Sequence, residues 1–231
     1  ELPAPPPVLV RSLRVVEAAV CLFRGDATRA LELAAEADAP AAEEPPSLGG
    51  ALETVMALAH HARGELGEAR RCAERGLALG VAEESPRPRF LLGALLARID
   101  IVEGRLRRAE IDTRKLLALA VRNGWWEVSF RTAPQLVLAE ALYESGALAE
   151  AEEVLTSAYE LATRLGPDEH EDLAAEWLTR VRLARGAAPA AAHRELARAA
   201  QQDFFLHLFD PPVVLRLCWE LDAGDALGVE A

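Results

Sequence analysis

Three charged residues of alternating sign stand at one recurring position of this chain. Arg98, Glu140 and Arg180 each lie six residues before a glycine, namely Gly104, Gly146 and Gly186, and Leu58 holds the same place before Gly64. Three residues before those glycines stand His61, Ile101, Tyr143 and Leu183, and Glu144 and Glu176 fall nearby. Guanidinium forks at Arg98 and Arg180 suit a carboxylate, a phosphate or hydroxyl groups, with Tyr143 or a tryptophan as an apolar platform. Against that stands a plainer reading, in which Arg98, Glu140 and Arg180 pair with one another on a wet surface for little energy. Asp100 and His60, each four residues before a glycine, add two polar groups at an expected interior position. A buried carboxylate needs a partner or becomes neutral, so Asp100 is either a ligand contact or one end of an ion pair to a nearby arginine.

Other chemistry finds little support. The histidines His60, His61, His170, His193 and His207 show no metal-ligand spacing, and no metal or other cofactor is expected. No serine lies in a Gly-x-Ser-x-Gly elbow, and the glutamates recur at solvent-facing spacings, so catalysis is not expected. Trp125 and Trp126 at a helix start could stack on a ligand, but such a pair more often plugs a seam between units. Cys21, Cys72 and Cys218 are an odd, widely spaced set, which argues for free thiols in a reducing cytoplasm rather than a disulfide framework.

The elements that must position these residues are set by the glycines. Gly25, Gly64, Gly104, Gly146, Gly186 and Gly224 follow one another at steps of 39, 40, 42, 40 and 38 residues. An alanine five places on recurs as Ala30, Ala69, Ala109, Ala151 and Ala191. A period of this size marks a repeat array in which each unit buries its apolar face only against its neighbours. The unit is helix, glycine turn, helix. The glycine tolerates the positive φ at the end of the first helix, and the alanine keeps the two helices close where they cross.

After the Pro-rich lead-in of residues 1–7, helical spacing runs from Val8 to Arg24 through Leu9, Leu13, Val16, Val20 and Phe23, and a second helix covers Thr28 to Ala37. Further helices are expected near Leu48 to Arg63, Leu66 to Gly80, Arg89 to Glu103, Leu106 to Arg122, Trp125 to Ser145, Leu148 to Leu165, Asp168 to Arg185, Pro189 to Asp203 and Pro212 to Asp222. Ser47 is placed to cap the third helix. Pro134 should kink its helix or delay its start. The expectation is an all-α, superhelical solenoid of about five and a half repeats, one domain over residues 8–231.

Composition bounds the partners. With 51% hydrophobic residues, 5% aromatics and a net charge of −12, the chain suits helix-on-helix packing and repels phosphate backbones, so direct nucleic-acid binding is not expected. No window has the apolar length of a membrane span, and no signal peptide is visible. The missing initiator methionine and the short sixth repeat suggest a piece of a longer polypeptide.

The glycine and alanine offsets resemble the tetratricopeptide repeat, whose usual unit is about 34 residues. The longer unit, with Leu96-Ala97-Arg98-Ile99, Asn123-Gly124-Trp125-Trp126 and Leu138-Ala139-Glu140-Ala141-Leu142-Tyr143, resembles the sensor domain of MalT-like regulators, large ATP-binding activators of the LuxR class. That resemblance implies an effector-sensing or protein-interaction segment. Its partners would be a small effector, peptide or protein in the concave groove and other modules of the same chain. No GxxxxGK[ST] loop and no basic recognition helix is present, so ATP or DNA binding does not carry over. The rival reading is a plain scaffold that grips a peptide or protein subunit.

Overall fold

The computed structural model describes residues 6–37, 46–79, 86–125, 131–165 and 169–186. Among them every regular element is a helix: α1 Pro7–Phe23, α2 Ala27–Ala37, α3 Pro46–Ala62, α4 Leu66–Ala78, α5 Pro86–Val102, α6 Leu106–Arg122, α7 Thr132–Glu144, α8 Leu148–Leu165 and α9 Glu169–Ala184. The helices expected after Pro189, with Gly224, Ala191, His193, His207 and Cys218, lie outside the described residues, as do Trp126 and the side chain of His170.

The glycine turns close as the spacing requires. Gly104 has φ of 77° and Gly64 of 74°, in the left-handed region, and Gly25, Gly146 and Gly186 share that conformation. At the end of α5 the Gly104 N–H donates to the Ile101 carbonyl at 2.8 Å and the Arg105 N–H to the Asp100 carbonyl at 2.7 Å. This pair of bonds is the Schellman closure, which satisfies carbonyls a helix end leaves bare. The residue after the glycine is also the cap of the next helix, which keeps the hinge short. The alanines five places on, Ala30, Ala69, Ala109 and Ala151, are wholly buried. So is a second small set seven before the glycine: Ala18, Ala57, Ala97, Ala139 and Thr179 are each at most 1% exposed.

Two expectations about helix starts are corrected. Helix α3 already begins at Pro46, whose fixed φ suits a first turn, so Ser47 lies inside the first turn and not at the cap position expected for it. The helix expected from Trp125 begins at Thr132 instead, so Pro134 sits in the first turn, where its missing N–H removes no helical bond. The delay was one of the two outcomes expected of this proline, and no kink is needed.

The packing forms two layers. The first helices of the units lie side by side, α1 on α3, α3 on α5, α5 on α7 and α7 on α9. The second helices α2, α4, α6 and α8 pack against their own partner and the next first helix, with no comparable contact among themselves. The first-helix layer is therefore the close-packed wall, and shallow grooves separate the second helices. Helices α5 and α7 carry apolar residues around most of their circumference, as expected of helices enclosed by neighbours. Every residue from Thr132 to Leu142 is buried.

Helix α1 departs from this scheme. It buries Val15, Ala18 and Leu22, while Leu9, Leu13, Val16, Val20 and Phe23, the residues that mark it as helical in sequence, are 40–58% exposed.

Candidate functional site

The wall assembles part of the charged stripe but encloses it. The Arg98 Nε and Glu140 Oε2 atoms form an ion pair at 2.9 Å, with side chains only 9% and 7% exposed. Glu176 is buried too. The pairing of Arg98 with Glu140 is as expected, but the setting is not a wet surface. With both side chains buried, the pair joins α5 to α7 inside the layer. Arg180 takes a different position. Its guanidinium lies 5.0 Å from the Tyr143 ring and 5.2 Å from the Trp177 ring, which themselves meet edge-on with centroids 5.9 Å apart. Such cation–π contacts hold the arginine on an aromatic bed between α7 and α9. Trp177 was absent from the sequence-derived set. His61 is half-buried and Glu144 exposed at the end of α7.

Asp100 and His60 serve the hinges. The Asp100 carboxylate, 3% exposed, receives Arg70 from α4 at 2.7 Å, Arg105 from the turn at 2.6 Å and Arg108 from α6 at 3.3 Å. The ion-pair reading of Asp100 is the one found. One repeat earlier the same two positions carry opposite charge types: His60 Nδ1 meets Glu65 Oε2 at 2.6 Å, and this bond holds the Glu65 carboxyl below its ordinary range. Each clasp joins the residue four before the glycine to the one after it. Arg70 and Arg105 also share Glu103.

Trp125 meets Phe90 edge-on with centroids 6.1 Å apart, a contact between α5 and the turn after α6 that fits the seam-plug reading. Cys72 is buried, and burial pushes its thiol up to about 11, so it stays protonated and inert at neutral pH. Cys21 is half-buried, and both are free thiols. Among the described residues no cluster of His, Cys, Asp and Glu could hold a metal ion, and no helix is long and apolar enough to cross a membrane.

A cavity of about 450 Å³ is lined by neither Arg98 nor Glu140 but takes in the Asp100 clasp. It occupies the groove between the second helices α4 and α6, floored by α5. Sequence reasoning reached only Asp100 of its lining, because the rest is spread over two repeats and one further signal, the surplus of arginine on α6, points there.

Comparison with known proteins turns on this architecture of stacked helix pairs. Among the solved structures that match it in shape are two of a Podosopora anserina protein described as a kinesin light chain with nearly identical TPR-like repeats. One is a point-substituted form of that protein; it is 22% identical, with a TM-score of 0.58 over 86% of this chain and 96% of that one. The fold is that of TPR-like repeats. The same fungal protein without the substitution gives 22% identity and a TM-score of 0.57, over 85% of this chain and 96% of that one. No family model matches the sequence, and no curated protein does.

Proposed function

We propose that this chain is a non-catalytic protein-interaction scaffold of the cytoplasm, and that a helical segment of its partner docks on the exposed face of α1. The observation that supports this is positional. Leu13, Val16 and Val20 stand twelve, nine and five residues before their hinge glycine, and they are 54%, 58% and 40% exposed. The equivalent residues of every later described unit are buried: Leu52, Leu92, Pro134 and Ala174; Val55, Leu95, Val137 and Trp177; Ala59, Ile99, Ala141 and Val181. In those units the preceding helix pair covers them. Helix α1 thus offers a surface already shaped for helix packing, and contiguous exposed apolar area of this kind marks interaction sites.

A site-specific test uses a photo-crosslinking residue placed at Val16 or, as control, at exposed Glu17 of the same helix. The scaffold reading expects discrete protein adducts from position 16 that disappear when Leu13→Glu and Val20→Glu are added. An adduct at twice the chain mass would identify a second copy as the partner. Equal, diffuse labelling at both positions would refute docking on this face.

A second reading is favoured by the 38–42-residue hinge spacing, longer than the usual repeat and similar to MalT-like regulators. In it the array is the effector-sensing segment of a bacterial LuxR-class regulator, and ligand binding shifts the population of its packed states. A small effector that raises the melting temperature of the chain would support it.

A further inference from the structure

We infer that the groove between α4 and α6 is a binding site for a compact organic anion with an apolar body, such as an aryl or medium-chain carboxylate. Its volume of about 450 Å³ lies within the range of small-molecule sites. The floor is apolar, built from Leu96 on α5 and Leu116 and Leu119 on α6. At one end the floor meets the Asp100 clasp, where Arg70 and Arg108 are already held by the buried carboxylate. Around the rest stand Arg89, Lys115 and Arg122.

The charge balance sets the ligand's sign. Five cations, the three just named with Arg70 and Arg108, face three carboxylates, Glu74, Asp100 and Asp112. This excess sits on a chain whose net charge is −12. Asp100 is used by the clasp, and Asp112 by Lys115 at 2.7 Å. Arg89 and Arg122 have no carboxylate partner among the described residues. Two guanidinium groups without a carboxylate partner among the described residues, beside leucine side chains, fit a ligand that pairs a carboxylate with a hydrocarbon part. The groove exists because the second helices of adjacent repeats pack on first helices rather than closely on one another, so it is a product of the repeat geometry, and its charge is local to this pair of repeats.

The test is isothermal titration of the full chain with octanoate and 2-naphthoate, beside 1-octanol and inorganic phosphate. Both carboxylates should bind with 1:1 stoichiometry and a Kd below about 1 mM, and the alcohol and phosphate should bind at least about tenfold more weakly. The double variant Arg89→Gln/Arg122→Gln should weaken octanoate about tenfold, while Val16→Glu, on the distant α1 face, should leave it unchanged. Absence of carboxylate binding would overturn the inference. So would equal binding of octanol or phosphate, an unaltered Kd in the double variant, or loss of binding in Val16→Glu.

Discussion

Removing the charge at Asp100 leaves three guanidinium groups crowded around a neutral amide. The carboxylate is buried, but its partners are 20%, 40% and 61% exposed, so water can rehydrate them in part. Breaking a fully buried pair costs about 3–5 kcal/mol, and the exposed partners reduce that, so Asp100→Asn should cost about 2 kcal/mol in urea unfolding. A loss below about 0.5 kcal/mol would mean the clasp is ornamental. Sequence alone showed that Asp100 was misplaced among apolar neighbours, and an arginine partner was the natural expectation. It did not show that three elements converge there, since Arg70 lies 30 residues earlier. Arg98 and Glu140 carry the same lesson. Their common repeat position brought them together on paper, but whether that position faces water depends on how closely α5 and α7 approach, which no single unit specifies.

At the scale of the element, the recurring glycine is the best-read feature, because a turn that needs positive φ leaves its mark on one residue type. A side chain at Gly104 meets no neighbour within 4 Å, so strain there comes from the backbone alone. Gly104→Ala should therefore destabilise by about 1–2 kcal/mol, the cost of the left-handed conformation for an L-residue, without a change in helix content. Circular dichroism with denaturant titration checks both parts. Helix starts were less legible. Prolines at residues 7, 46, 86 and 134 lie in first turns, where they look in sequence like interruptions but are accommodated as openings. The two-faced helix α1 was the hardest case: Leu9, Leu13, Val16, Val20 and Phe23 follow helical spacing as well as any core set, yet the core takes Val15, Ala18 and Leu22.

For the whole molecule, one rule explains both the wall and its open face. Each first helix is covered on one side by the pair before it and on the other by the pair after it, so stability accumulates through nearest-neighbour contacts. Within the described residues α1 lacks the earlier neighbour. Its apolar stripe is then an exposed surface in the register of the array, and the account assigns it to a packing helix from outside the described residues. Position-matched variants test that claim most directly. Val16 and Val55 hold the same place before their glycines, but Val16 is 58% and Val55 8% exposed. In urea unfolding, Val55→Glu should cost about 3 kcal/mol or more because it buries an unpaired charge, and Val16→Glu should stay within about 0.5 kcal/mol of the parent chain. Equal, large losses in both variants would show that the face of α1 belongs to the protein's own core, and would contradict its assignment as a docking surface.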